Sequence, residues 1–181
     1  MKCIEILMNE HGVIRKVLKI LSFALEKLEL GEKPPRKFFE NGLDLIQNFV
    51  QNYHHCKEEY VLFEMLSKKR NNELINQIGS LKYQHERERQ QISEIKKALN
   101  GYEKGNDIQR IRLIENLAAY ISLQKLHLHW EDTNFYPTAK QEITEKEEQL
   151  LLEDFKKEDR KSPTNMIEKS DILMSEMESL I

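Results

Sequence analysis

Apolar residues recur at three- and four-residue steps along most of this chain. Leu7, Ile14, Leu18, Leu21, Leu25 and Leu28 keep that step from Ile4 until the segment LGEKPP interrupts it, which predicts an amphipathic helix over 4–28. A second period, over about 37–66, carries Leu43, Ile46, Val50, Val61, Leu62 and Met65 and leaves through SKKRNN. A third, over about 73–99, runs through Leu74, Ile78, Leu81, Ile92 and Leu99 and closes on NGYEKGND, whose asparagines and glycines are helix-ending residues. The fourth, over about 108–136, runs through Leu113, Leu117, Tyr120 and Leu123, and Pro137 is expected to end it. Short connections make consecutive long helices antiparallel, so the expected fold is all-α, an up-down-up-down four-helix bundle over about 4–137. Additional C-terminal helical segments are expected over 138–181. There Thr144, with Glu147 three residues on, has the spelling of a capping box. KSPTN reads as a break, and Met166, Leu173, Met177 and Leu180 as a last amphipathic segment that folds back on the bundle in preference to forming a dimer surface.

Composition narrows the class. A chain of 181 residues with 39% hydrophobic residues supports one domain with a core, so 1–181 is expected to be a single domain. The 28 Lys and Arg against 31 Asp and Glu give a net charge of -3 with no long basic block, which argues against a grip on nucleic acid. Lys/Glu runs read as solvated helix faces. Cys3 and Cys56 are the two thiols and form no CxxC pair, which suits a reducing, cytoplasmic compartment. The opening MKCIEILMNEHG carries charges inside it and reads neither as a secretory signal nor as a membrane span.

The histidines carry the chemistry. HHCKEEYVLFE at 54–64 is answered by HLHWEDTNFYP at 127–137, with His127 matching His54, Glu131 matching Glu58 and Asp132 matching Glu59. His11 lies on the apolar stripe with Leu7, Ile14 and Leu18; His54 follows Ile46 and Val50; His85 continues Leu74, Ile78 and Leu81; His127 continues Leu117, Tyr120 and Leu123. Glu58 and Glu131 occupy the next turn after His54 and His127. Four histidines and two glutamates therefore project into one interior, where an unpartnered carboxylate costs several kcal/mol. Metal cations remove that cost. The i, i+4 spacing sets His and Glu about 6 Å apart along the axis, which suits neighbouring ions bridged by both carboxylates. Nitrogen and oxygen donors without an inward thiolate favour iron or manganese over a closed structural zinc site, though zinc would also bind. His55 follows Asn48, Gln51 and Asn52 and is expected at the surface, with a role as an extra or supporting group left open. His129 is expected at the surface. Cys56 and Tyr53 are expected to pack, with Tyr53 also close enough to His54 to donate to a bound oxygen species.

NEHGVI, HHCKEEYVLF, QHERER and HLHWEDTNFYP together resemble the hemerythrin-like family, also called the HHE cation-binding domain, over about residues 4–155. The resemblance implies a non-haem di-iron centre with His11, His54, His85 and His127 as terminal ligands and Glu58 and Glu131 as bridges. Oxygen-carrying hemerythrins bring two histidines from the third helix at i and i+4, whereas here Arg89 follows His85, so the site is expected to be poorer by one imidazole. In this it is more similar to the four-histidine, two-glutamate centres of bacterial proteins that repair iron-sulfur clusters; those commonly carry a cysteine-bearing N-terminal domain, for which no counterpart is expected in this sequence.

Three functional readings follow. The favoured one is a cytoplasmic di-iron protein, monomer or homodimer, that binds, senses or responds to O2, NO or peroxide, in stress defence or iron-centre repair. The second is a di-iron enzyme, peroxidase-like or NO-reducing, at the same centre. The third is a regulatory helical module whose metal is structural.

Overall fold

The computed structural model describes residues 1–162 and 165–181; Pro163 and Thr164, in the expected KSPTN break, lie outside the described residues. Among the described residues the fold is all-α. Helix α1 is Lys2–Glu29. Helix α2 is composite: α-helical Arg36–Leu45, π-helical Ile46–His55 and Glu58–Leu62, and α-helical Phe63–Leu66. Helix α3 is Asn72–Glu103. Helix α4 starts as Asp107–Trp130, passes through π-helical Glu131–Phe135 and finishes as Tyr136–Glu142. Helices α5, Glu145–Asp159, and α6, Met166–Ser179, follow.

The caps explain the boundaries. Asn71 and Asn106 accept from the backbone N–H groups of Leu74 and Gln109, each at 3.1 Å, satisfying helix donors that otherwise lack partners. Thr144 and Glu147 form both bonds of a capping box at the start of α5. Helix α3 continues past its expected end at Leu99 to Glu103, and Gly101 within it is a packing glycine: an added Cβ would stand 2.3 Å from the Gln109 side chain. The turn itself is made by Gly105 at φ +78°, a left-handed conformation that favours glycine.

Pro137 does not end the fourth helix. It enters at the first turn of Tyr136–Glu142, directly after the π-helical turn. At such a position the missing proline N–H has no α-helical bond to break.

Two apolar clusters form the core, and each bundle helix visits both. On α1 the order is Cys3, Ile4 and Leu7 in one cluster, then Val13 to Leu28 in the other; on α2 it is Phe38 to Val50, then Val61 to Leu66. Helix α3 repeats the order of α1 and α4 that of α2, so the four helices alternate in direction. Helix α4 packs on α1 and α3, and α2 closes the square. Leu151 and Phe155 of α5 join one cluster, Met166, Met174 and Met177 of α6 the other. Between the clusters lies a polar layer.

Candidate metal centre

Each bundle helix places its polar residues where its apolar stripe passes between the two clusters. His11, His54, Glu58, His85, His127 and Glu131 all meet there, each 0% exposed. The donor atoms form two groups, His11, His54, Glu58 and Glu131 in one, and His55, Glu58, His85 and His127 in the other, with the atoms of each group within 4.8 Å of one another.

The geometry is nearly two-fold. His11 Nε2 faces His54 Nε2 at 3.1 Å, and His85 Nε2 faces His127 Nε2 at 3.1 Å. Glu131 Oε2 stands 3.3 Å from His11 Nε2 and 3.2 Å from His127 Nε2. Glu58 Oε2 stands 3.6 Å from His54 Nε2 and 3.5 Å from His85 Nε2. Each carboxylate thus touches one imidazole of each pair.

The far side of each ring fixes its tautomer. His11 Nδ1 donates to Asp132 and His54 Nδ1 to Glu10, both at 2.9 Å; His85 Nδ1 donates to Glu59 at 2.6 Å and His127 Nδ1 to Gln84 at 2.9 Å. With Nδ1 carrying the proton, four Nε2 lone pairs point at the middle, the arrangement of metal-bound histidine. The supports are themselves anchored. Arg15 holds Asp132 and Arg89 holds Glu59. Buried Lys57 bonds Glu10 and lies 2.8 Å from Asp159 of α5.

Protein groups alone leave this layer unsatisfied. Glu58 Oε2 and both Glu131 oxygens are buried without a hydrogen-bond partner, and paired lone pairs at 3.1 Å repel. Burial pushes the Glu58 carboxyl up to about 8 and, with Glu58 beside it, holds Glu131 well above the carboxylate range. Burial likewise holds His54, His55 and His127 well below the usual histidine range. Cations between the two pairs would answer every one of these conflicts, so the residues fit a two-metal group.

His55 corrects the sequence reading. It is 2% exposed, and its ring stacks on His85 at 3.7 Å with a 13° interplanar angle. A fifth ring therefore stands beside the four inward imidazoles, from α2 and not from α3. The cause is the π-helical backbone over Ile46–His55: bonding i to i+5 makes each residue advance less than the about 100° of an α-helix. Counted at 3.6 residues per turn, His55 falls among asparagines and glutamines; on the wider turn it follows His54 inward. His129 is exposed. Tyr53 packs on Phe49 at 5.5 Å, with Lys57 Nζ 3.4 Å from its ring centroid. Lys57, within a Lys/Glu run read as solvated, is 0% exposed.

Further residues carry little sequence signal. The Tyr136 hydroxyl donates to Glu58 Oε1 at 2.6 Å and lies 3.3 Å from His11 Nε2. Glu88, 1% exposed, stands 3.8 Å from His55, and Gln124, with its amide turned to donate, reaches its two oxygens at 3.1 and 2.7 Å. Burial, reinforced by Glu58, holds Glu88 well above the carboxylate range. A buried polar residue on an otherwise apolar stripe was the available sign, and at Glu88 and Gln124 it was present.

The hemerythrin HHE cation binding domain matches residues 3–139 of this chain. An uncharacterized protein of Mycobacterium bovis and two of Mycobacterium tuberculosis are each 26% identical to it over 157 residues, covering 87% of this chain. The chain spans 61% of the length of those relatives. No solved structure matches it. No helix among the described residues is long and apolar enough to cross a membrane.

Proposed function

Because this chain belongs to the hemerythrin HHE cation-binding domain family, we propose that it is a non-haem di-iron protein that binds and responds to O2, NO or peroxide. His11 and His54 would hold one iron, His85 and His127 the other, and Glu58 and Glu131 would bridge them; manganese or zinc could occupy the same donors. The carrying observation is the pair of facing Nε2 atoms at 3.1 Å, twice over, with an oxygen of each glutamate within 3.6 Å of both pairs. Bound iron supplies a redox-active Lewis acid with positions left for water or an exogenous ligand. The protein's own part is orientation and charge. Glu10, Glu59, Gln84 and Asp132 aim the imidazoles, the two bridging carboxylates offset cationic charge, and the apolar clusters exclude bulk water.

Metal analysis with optical spectra under air, dithionite and NO tests this. Aerobically purified protein should hold about two irons per chain with near-ultraviolet absorption that dithionite and NO alter. Protein that stays iron-free after anaerobic reconstitution would rule the reading out. We read 1–181 as one folded unit, supported by the packing of α5 and α6 on the bundle, and place it in a reducing cytoplasm because Cys3 and Cys56 are both free. A role in stress defence or iron-centre repair fits a site that accepts small oxidants.

One observation favours a catalytic reading. The Tyr136 hydroxyl, 2.6 Å from Glu58 and 3.3 Å from His11, sets a proton donor beside the donor atoms. Peroxide consumed over many cycles, or N2O released catalytically from NO, would establish turnover; a single stoichiometric event per chain would refute it.

A further inference from the structure

The donor layer is buried, yet one cleft reaches its outer wall. Between α2 and α3 a cleft of about 260 Å³ is lined by Gln51, Asn52, His55, Cys56, Glu59 and Arg89, among others. Clefts elsewhere, over Leu150 or between Leu18 and Leu128, touch no residue of either donor group.

His55 forms the inner wall of this cleft. It is 2% exposed, and both its ring nitrogens lack a hydrogen-bond partner, as does Gln51 Nε2. Unmade hydrogen bonds in buried positions are costly and rare, and a small polar visitor would satisfy them. The stacking on His85 is nearly parallel, so the in-plane lone pairs of the two rings run side by side and do not converge on one point. His55 therefore covers His85 instead of sharing its target. Glu59, on the same wall, bonds His85 Nδ1 and is bonded by Arg89. Their opposite charges cancel, leaving a neutral polar cleft that suits uncharged hydrogen-bonding molecules better than ions.

We propose that this cleft is the entry port and outer binding site for small, uncharged, hydrogen-bonding solutes of the size class of hydrogen peroxide, with His55 as its gate. Rotation of the His55 ring off His85 opens the cleft onto the space between Glu58, His85 and His127, whose donor atoms lie within 4.8 Å of one another and of His55. The port rests on the di-iron reading given above, because it needs a centre to serve.

The cleft contains its own handle for a test. Cys56 is half-buried in its wall whereas Cys3 is 0% exposed, so N-ethylmaleimide should modify Cys56 alone, as mass spectrometry would verify. Azide, coloured when bound to ferric iron, is the probe at mildly acidic pH, where part of it is uncharged hydrazoic acid, the form this cleft would admit; its binding is followed by stopped-flow absorbance on the oxidised, iron-loaded protein. Modification should slow azide binding by about tenfold or more, as expected for an obstructed approach, while the final absorbance change and iron content stay at their unmodified values. The same reagent should leave the rate of a Cys56→Ser protein where it was. A rate within about twofold of the unmodified protein overturns the port. His55→Ala protein with full iron content should bind azide faster; an unchanged rate overturns the gate, and so does loss of iron, which would make His55 a ligand. Failure of the protein to take up iron at all removes the di-iron reading and the port together, whereas iron-loaded protein indifferent to the block removes the port alone.

Discussion

Four inward imidazoles are each gripped from behind by an oxygen, and the grips differ in strength. Asp132, Glu10 and Glu59 are carboxylates, whereas Gln84 is a neutral amide bonded to His127 Nδ1 at 2.9 Å. Gln84→Leu should leave His127 free to turn and lower metal affinity about 10–100-fold, measured by competition with a chelator; unchanged affinity would show that packing alone orients the ring. Lys57 is a second point of stress. Burial pushes the Glu10 carboxyl up to about 7 even though Lys57 opposes the shift. Lys57→Met would strand Glu10 in the interior and should cost about 3–5 kcal/mol of stability, read from urea unfolding of the metal-free protein. His11, His54, His85 and His127 were legible because each continues an apolar stripe. Lys57 and His55 were not. A charged residue in a charged run looks solvated until Glu10 and Asp159 are seen around it, and these come from distant parts of the chain.

The elements show why counting worked for two bundle helices and slipped on parts of the other two. Periodicity assumes a constant advance per residue, and α1 and α3 keep it. Helices α2 and α4 change to π-helical turns at the two HxxxE blocks, Ile46–His55 with Glu58–Leu62, and Glu131–Phe135, a backbone form frequent at functional sites. The widened turn carried His55 inward and let the helix continue through Pro137. Nothing in local composition announces it. The Thr144–Glu147 cap, by contrast, is a purely local device and was readable from four residues. Thr144→Ala should cost about 1 kcal/mol, visible as a lower melting temperature. At the α3–α4 turn the constraint is steric: Gly101→Ala would set a Cβ 2.3 Å from Gln109 and should destabilise by about 1–3 kcal/mol in thermal unfolding.

Across the whole molecule the alternating order of the two apolar clusters was implicit in the sequence, since each helix interrupts its stripe once with histidine. The partner contacts that make the interruption a centre were not, because they join residues as far apart as His11 and Asp132. The same layer sets a pH dependence for the metal-free protein. Up to about 8, the folded chain keeps on Glu58 a proton that the unfolded chain has already released, so this contribution to stability falls as pH rises. The buried imidazoles act in the opposite sense, but only below about pH 6.5, where the unfolded chain protonates them. Metal-free protein should therefore lose stability as pH rises from about 6.5 to about 8, the Glu58 value, with Glu131 and Glu88 acting in the same sense, while metal-loaded protein, with its carboxylates already ionised, should not; parallel denaturation curves across that window would refute this. Two oily blocks joined by a charged waist also behave unlike one continuous core. Cations bound there would act as rivets between the two halves, so removing them should loosen the seam before it melts either block. Amide hydrogen exchange would then quicken first around His54 and His127 and last at Leu21 and Leu74.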